Sequence, residues 1–187
     1  MPPKTKITRE MILDAAFAIA RQEGAETVNA RTVSQKLNCS TQPVLYHFKT
    51  MEELKKAVYA KADEFHSAYL AEAQGQSPLK SIGLRYIRFG AKEKHLFRLL
   101  FQTNEFSGKS ISELTSAEET AFIFEAIAKT KNVSLEQARM IFKSLFLFAH
   151  GYASMFANNE LVYDENAISA DLELIFAGML SALKGGT

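Results

Sequence analysis

The sequence has little of several features that would restrict its function at once. It contains a single cysteine, Cys39, which excludes a disulfide framework, and no Cys and His residues spaced as zinc ligands. No run of about 18 uninterrupted apolar residues occurs, and the basic start MPPKTKITRE is not followed by the apolar core and cleavage site of a signal peptide. We therefore expect a cytoplasmic protein that makes no membrane contact.

The residue patterns of common enzymes are also missing. The sequence has no glycine-rich phosphate loop, no G-x-S-x-G elbow and no nucleophile with an evident base, and its four histidines, at positions 47, 66, 95 and 150, are isolated from one another. We therefore expect neither enzymatic activity nor a bound metal or cofactor.

The net charge of +1 hides a difference between the two ends of the chain. Residues 1–60 hold nine Lys and Arg against six Asp and Glu, whereas residues 61–187 hold thirteen against fifteen. Attraction to phosphate requires a local positive surface and not a positive total, so this asymmetry is a weak indication that the first part faces nucleic acid.

The first part of the chain predicts short helices with clear start and stop signals. Thr8 can cap a first helix over 8–23 that ends at Gly24, and Asn29 can cap a second over about 30–37. Asn38 is the next-best residue after glycine for the left-handed turn that would end this second helix.

The stretch STQPVLYHF predicts a third helix of about two turns, with Ser40 as its N-cap and Pro43 in its first turn. Thr50 and Glu53 form a T-x-x-E capping box for a fourth helix that reaches about Ala73. Two short helices joined by a tight turn and braced by a preceding helix have the proportions of a helix-turn-helix, whose second short helix enters the DNA major groove.

Five further helices are expected after residue 77, so the chain is predicted to be all-α with about nine helices and no strand. The fifth helix starts at Pro78, the sixth lies in KEKHLFRLLFQT, and a polar loop, NEFSGKSISELT, follows it. A capping box of Ser116 and Glu119 starts the seventh helix, and a second capping box of Ser134 and Gln137 starts the eighth, which reaches Asn158. The ninth helix spans Ala167 to Lys184.

Residues 7–55, from ITREMILDAAFAIARQEG through TVSQKL to STQPVLYHFKTMEELK, resemble the DNA-binding domain of the TetR family of transcriptional regulators. The resemblance implies a helix-turn-helix domain over residues 1–50 and a helical effector-binding and dimerisation domain over 51–187. Carried over by position, it implies DNA contacts from Arg31, Thr32, Ser40, Thr41, Gln42, Tyr46, His47 and Lys49. Among these, Thr41 and Gln42 would reach base edges, and glutamine is a good bidentate partner for adenine.

The sequence departs from the family pattern at three places. Asn38 stands where the family usually has glycine, and Met51 stands where a phosphate-contacting lysine is usual, so Lys49 or Lys55 would substitute for it. The spacing of Tyr46 and Phe48 is one residue tighter than the commonest aromatic pattern of the family, so whether Leu45 or Tyr46 occupies the contacting tyrosine position is open. Tyr46 is favoured, because a phenol can stack on sugar and donate to phosphate, whereas leucine can only pack.

The predicted eighth and ninth helices indicate a homodimer. The eighth is apolar almost all round its middle, which one small domain rarely covers, and two such helices from each of two copies would form a four-helix interface, as the resemblance also implies. A two-fold dimer would require a nearly palindromic operator on double-stranded DNA. The pair His150-Gly151 further resembles a TetR subgroup with a His-Gly pair in this helix.

The second part of the chain is rich in phenylalanine, with twelve of the fourteen after residue 60, and is the expected site of a small apolar or amphipathic effector. The candidate lining residues are Phe65, Tyr69, Tyr86, Phe89, Phe97, Phe101, Phe122, Phe124, His150 and Tyr152. Arg85 and Arg88 are expected to form surface ion pairs, with an acidic ligand as the alternative. Overall, we expect a transcriptional repressor that a small-molecule effector releases from its operator. The alternative is a helical carrier or sensor that does not bind DNA.

Overall fold

A computed structural model of the chain describes residues 6–73, 78–104, 107–114 and 121–185. Within these ranges the protein has ten α-helices and no strand, which confirms the predicted all-α class. The helices are α1 (Arg9–Glu23), α2 (Ala30–Lys36), α3 (Thr41–His47), α4 (Met51–Ala71), α5 (Pro78–Lys92), α6 (Lys94–Phe101), α7 (Ile111–Leu114), α8 (Ala121–Lys131), α9 (Leu135–Asn158) and α10 (Glu165–Gly185). A short 3₁₀ turn, Ala25–Thr27, links α1 to the strand-like residues before α2.

The packing divides the chain into two compact units. The first comprises the residues up to Ala68 together with Glu93–Thr103, and the second comprises Tyr69–Lys92 and the residues from Asn104 onward. The sequence analysis placed a domain boundary at residue 50, between a DNA-contacting part and an effector-binding part. That boundary concerns function and stays a prediction.

The first unit is built on the apolar face of α1. Ile12, Ala16 and Ile19 are fully or almost fully buried at steps of four and three residues, which places them on one side of the helix. Val44 and Phe48 of the α3 segment pack into the same core. Two helices of seven residues each cannot persist alone, so this shared core holds α2 and α3 in place.

The predicted start and stop signals at Thr8, Asn29 and Asn38 are confirmed. The Thr8 hydroxyl accepts a hydrogen bond from the Met11 amide, and the Asn29 side chain accepts from the amides of Arg31 and Thr32. Asn38 has a φ of +50°, and the following Cys39 amide donates to the Ser34 carbonyl at 2.9 Å. The left-handed residue therefore closes α2 and directs the chain into α3.

In the second unit, α5 packs closely against α9. The contact requires a glycine, because a Cβ at Gly90 would lie 2.6 Å from the Ala153 carbonyl oxygen and 2.7 Å from its Cβ. Helices α8 and α10 pack on α9 as well, and α10 also contacts α5. The predicted Ser134–Gln137 capping box at the start of α9 is confirmed.

One predicted loop contains a helix. The predicted polar loop over NEFSGKSISELT carries α7, because Ser110 and Glu113 form a capping box that the sequence analysis missed: the Ser110 amide donates to the Glu113 carboxylate at 2.6 Å, and the Glu113 amide donates to the Ser110 hydroxyl at 3.2 Å. The predicted box of Ser116 and Glu119 lies outside the described residues.

Two helices of the second unit are long and apolar enough to cross a bilayer, judged by length and composition: Leu135–Asn158 and Glu165–Leu183. About a third of the most apolar window of the first is buried within the protein, and about a tenth of that of the second. Such helices are weak evidence for a membrane, since apolar helices of soluble proteins have the same composition.

Candidate nucleic-acid interface

Helix α3 has one buried side and one exposed side. Val44 and Phe48 are fully buried, and a separation of four residues places them on the same side of the helix. The side chains of Thr41, Gln42, Leu45 and Tyr46 are all exposed. These four residues form the reading face, the name used below for this surface. The reading face includes the two positions at the first turn, where a recognition helix reaches base edges.

The start of α2 is fixed by a capping box in which Thr32 takes part. The Thr32 hydroxyl accepts from the Asn29 amide at 3.1 Å and donates to the Thr27 carbonyl at 2.9 Å. Because these local bonds occupy the hydroxyl, Thr32 contributes mainly to the geometry of the turn. The neighbouring Arg31 is exposed and therefore accessible to a phosphate.

Ser40 occupies the N-cap position of α3, as predicted, but its side chain accepts no capping hydrogen bond within the described part of the chain. A serine hydroxyl both donates and accepts, and this one is exposed at the end of the helix that carries the reading face. The Ser40 hydroxyl is therefore accessible for the DNA contact that the sequence predicts.

The end of α3 carries a cluster of polar and aromatic side chains. Tyr46 is 70% exposed, and the Lys49 ammonium lies 5.2 Å from the centroid of its ring. His47 is half-buried, and its Nε2 lies 3.1 Å from the carbonyl oxygen of Ile7. One ring nitrogen of His47 therefore anchors the segment before α1, which leaves only the other for an outside partner.

The junction between α3 and α4 is tied by a variant of the predicted T-x-x-E box. The Glu53 amide donates to the Thr50 hydroxyl at 3.1 Å, as predicted, but the Glu53 carboxylate accepts from the Lys49 amide at 3.0 Å. The same carboxylate lies 3.8 Å from the Arg9 guanidinium, which lies 4.4 Å from the centroid of the Phe48 ring. These contacts hold the backbone of Lys49 beside the reading face.

Exposed basic side chains occur on α2, after the end of α3 and on α4. Arg31, Lys36, Lys49 and Lys55 are exposed, and within the described ranges none of the four forms an ion pair with an acidic residue. The nearby Lys56 is different, because it pairs with Glu52 one helical turn earlier at 3.2 Å. Four exposed cations without an acidic partner, of which Lys49 lies beside the Tyr46 ring, favour a polyanionic partner.

Among the residues predicted to bind an effector, Tyr86 and His150 lie together in the second unit. The Tyr86 hydroxyl lies 2.9 Å from His150 Nδ1, and the Phe146 ring lies within 6 Å of both rings. Burial raises the pKa of Tyr86 and lowers the pKa of His150. Near neutral pH both groups are therefore uncharged, and the tautomer of His150 decides which of them donates the hydrogen bond.

The other predicted effector residues are divided between the two units. Phe65 and Phe101 belong to the first unit, where Phe65 packs on Phe17 and Phe101 packs on His66 and Phe97. The second unit holds the rest: Tyr69 packed on Phe89, Phe124 packed on Phe142, and Tyr152, whose hydroxyl donates to Asp171. The side chain of Phe122 lies outside what the structure describes.

The two arginines of α5 form ion pairs, as the sequence analysis expected. Arg85 pairs with Glu72 at 2.6 Å and donates to the Tyr69 carbonyl, and Arg88 pairs with Glu165. Hydrogen bonding to Arg88 lowers the pKa of Glu165. These four residues, with Ser81 and Leu84, line an open cleft of about 470 Å³ in the second unit.

A search of the described residues finds no group of three or more His, Cys, Asp or Glu arranged to hold a metal ion.

No family model matches the chain. A relative described as an uncharacterized HTH-type transcriptional regulator, YobS of Bacillus subtilis (strain 168), is 20% identical over an alignment of 189 positions that spans 96% of each protein. The crystal structure of a transcriptional regulator from Rhodococcus sp. Rha1 matches with a TM-score of 0.68 at 18% identity, over 94% of this chain and 97% of that one. A TetR family transcriptional regulator from Pseudomonas syringae pv. tomato str. DC3000 matches with a TM-score of 0.55 at 20% identity, over 98% of both chains.

These similar proteins are described as transcriptional regulators, which agrees with the prediction that the chain is not an enzyme. The likeness extends over nearly the whole chain and therefore includes the second unit as well as the helix-turn-helix. The expected His-Gly subgroup stays a prediction. The resemblance to the TetR family is confirmed at the level of the fold: the chain has the all-α fold of these solved transcriptional regulators, one of which is a TetR family member.

Proposed function

We propose that the protein is a cytoplasmic, DNA-binding transcriptional regulator that acts as a homodimer and changes its affinity for DNA when a small molecule binds. The observation that carries the proposal is the reading face of α3, whose four side chains are exposed while Val44 and Phe48 anchor the helix from behind. In this arrangement Thr41 and Gln42 meet base edges, and Tyr46 and Lys49 meet the phosphate backbone.

The proposed dimer forms through α9 and α10. Met140, Leu147 and Met155 are exposed along one side of α9, and Leu174 is 71% exposed on α10. Gly151 and Gly178 have nothing within 4 Å of the place where a Cβ would stand, which leaves room for a second helix to approach the backbone closely. Two such helices from each copy would complete a four-helix interface.

A second copy suits these faces better than lipid does. Helix α9 carries Glu136, Arg139 and Lys143, and α10 carries Asp171 and Glu173. Charged side chains within a bilayer are costly, whereas at the rim of a protein interface they remain in water. The similarity of the whole chain to transcriptional regulators supports the same choice.

We place the effector in the second unit, near the aromatic cluster that holds the hydrogen bond between Tyr86 and His150. Helix α4 provides a route to the reading face, because its residues Leu54 and Val58 belong to the core of the first unit and its last residues, from Tyr69, belong to the second. An effector that displaces the end of α4 would change the separation of the two recognition helices in the dimer. A coupling of about 1–3 kcal/mol would change DNA affinity by about 5- to 150-fold.

The proposal is tested by selecting duplexes that bind the full-length protein from a random pool and from the intergenic DNA beside its gene. A regulator should select a near-palindrome, and its affinity should fall steeply with salt. Gln42→Ala should lose about 1–3 kcal/mol on the selected site and relax the preference at one position. Lys49→Ala should weaken binding to all sequences and lower the salt slope by about one.

The result that would contradict the proposal is the absence of duplex binding at low salt from a protein that is folded by circular dichroism. The alternative of a helical carrier or sensor without DNA binding would then take its place. If binding is found, a screen for compounds that release the selected duplex identifies the effector.

A further inference from the structure

Leu45 is an apolar side chain in the middle of a polar surface. In the described part of the first unit, the exposed large hydrophobic residues are Leu45, at 48%, and its neighbour Tyr46. The core beneath α3 is closed by Val44 and Phe48, which are fully buried, so it does not require Leu45. An exposed leucine at this point is therefore available to an outside partner.

Helical geometry places Leu45 between the two residues proposed to read bases. With about 100° of rotation per residue, Leu45 lies about 40° round the helix from Thr41 and about 60° from Gln42, one turn further along. By the same rotation Val44 and Phe48 lie about 100° and 60° from Leu45, beyond Thr41, and both are buried in the core. A helix that presents Thr41 and Gln42 to the floor of the major groove thus presents Leu45 to it as well.

The floor of the major groove offers one apolar group to such a side chain. Thymine carries a C5-methyl there, whereas guanine, cytosine and adenine present hydrogen-bonding groups. We propose that Leu45 is a specificity-determining residue that packs against the C5-methyl of a thymine in each operator half-site. This inference rests on the proposed function, because it requires α3 to enter the major groove.

The charges around Leu45 favour DNA over a protein partner. Lys49 is exposed beside the Tyr46 ring, Arg31 and Lys36 are exposed on α2, and none of the three forms an ion pair among the described residues. A protein interface depletes charge at its centre, whereas a DNA interface places cations on both sides of the residues that read bases.

The position of the thymine relative to the base read by Gln42 is also constrained. Leu45 follows Gln42 by three residues, a rise of about 4.5 Å along the helix, compared with about 3.4 Å between successive base pairs. The thymine is therefore expected within two base pairs of the adenine that Gln42 contacts.

The test uses the full-length protein and the duplex obtained by selection. Each thymine of the half-sites is replaced in turn by deoxyuridine, which removes the methyl and leaves every hydrogen-bonding group unchanged. The substitution at the proposed position should weaken binding about fourfold in one half-site and about 15-fold in both, which corresponds to the transfer of one buried methyl per half-site.

Two variants test whether Leu45 is the residue that contacts the thymine methyl. Leu45→Ala should bind the thymine and deoxyuridine duplexes equally, because the partner of the methyl is gone. Thr41→Ser is the matched control: it removes the other methyl group of the reading face, keeps a hydroxyl, and should retain the full deoxyuridine effect of the unmodified protein. Thermal unfolding and salt-dependent binding to unrelated duplex verify that both variants are folded.

The possible failures are distinguishable. Absence of selected binding by the unmodified protein would overturn the proposed function and this inference with it. Selected binding with no deoxyuridine effect within two base pairs of the adenine would overturn this inference alone. The same holds if Leu45→Ala keeps the deoxyuridine effect, or if Thr41→Ser is the variant that loses it.

Discussion

The two units of the protein differ in how many large hydrophobic side chains they expose. In the described part of the first unit, only Leu45 and Tyr46 are exposed large hydrophobic residues, and both lie on α3. The second unit exposes eight of them: Ile111, Leu135, Met140, Leu147, Met155, Leu161, Val162 and Leu174. The first unit thus exposes large apolar side chains only on α3 within its described part, whereas the second exposes them at several places, including the faces of α9 and α10 on which the proposed dimer would form.

The core of the first unit gives the largest expected effect. Phe48→Ala removes a fully buried ring beneath the reading face and should lower the free energy of unfolding by about 3–5 kcal/mol. Urea unfolding followed by circular dichroism measures the loss, and Phe48→Leu, which keeps most of the volume, should lose much less. A negligible loss for Phe48→Ala would mean that the α3 core does not depend on this ring.

The apolar face of the second unit gives the next largest effect. Leu174→Glu places a charge on the proposed dimer face and should raise the dissociation constant of the dimer at least 100-fold, while the helix content of the subunit remains. Sedimentation equilibrium measures it. Gln22→Glu adds the same charge to the exposed surface of α1 and should leave the dimer intact. A Leu174→Glu protein that remains dimeric would show that the copies meet elsewhere.

Two glycines of the second unit differ in their surroundings: one is packed against a neighbouring helix and the other faces open space. Gly90→Ala forces a methyl against the Ala153 backbone and should cost about 2 kcal/mol in unfolding experiments. Gly178→Ala meets open space in the subunit and should be neutral or stabilising by up to about 1 kcal/mol when measured on the dissociated protein, because alanine favours helix. A loss for both would mean that α10 is as enclosed as α5.

A buried histidine gives the first unit a dependence on pH. Burial lowers the pKa of His66 from 6.5 to about 4, so below pH 6.5 the unfolded chain binds a proton that the folded protein does not. Stability from this residue is complete above pH 6.5 and decreases as the pH falls towards 4. At pH 5.5 the loss is about 1.4 kcal/mol relative to pH 7.5.

The control for His66 is the variant His66→Gln, which cannot titrate. Its stability should change less between pH 7.5 and 5.5 than that of the unmodified protein, and the difference between the two isolates the histidine from the carboxylates. Parallel pH profiles would contradict the assignment.

The sequence predicted the helices of the first unit well, because their boundaries depend on local chemistry. Thr8, Asn29 and Asn38 act within one or two turns of their own position, and each does in the structure what its residue type favours. The helix Ile111–Leu114 was missed although Ser110 and Glu113 carry the same kind of signal. A box followed by only one turn of helix was not distinguishable from a loop.

The partners of the aromatic residues were much less predictable. Ten aromatic and histidine residues with similar local sequence were grouped as effector candidates, yet Phe65 and Phe101 pack in one unit while Tyr86 and His150 pack in the other. Likewise, the contact of His47 with the Ile7 carbonyl joins residues 40 positions apart. Local periodicity does not determine which helices meet.

The sequence by itself determined the all-α class, the caps and left-handed turns, and the outward face of the two-turn helix. Each follows from hydrogen bonds and side-chain spacing within a few residues. The tertiary structure decided that residues 93–103 join the first unit, that Gly90 accommodates Ala153, and that Leu45 remains exposed above a core completed by Val44 and Phe48. These facts depend on packing between distant segments, and packing is decided by which surfaces fit once the whole chain has collapsed.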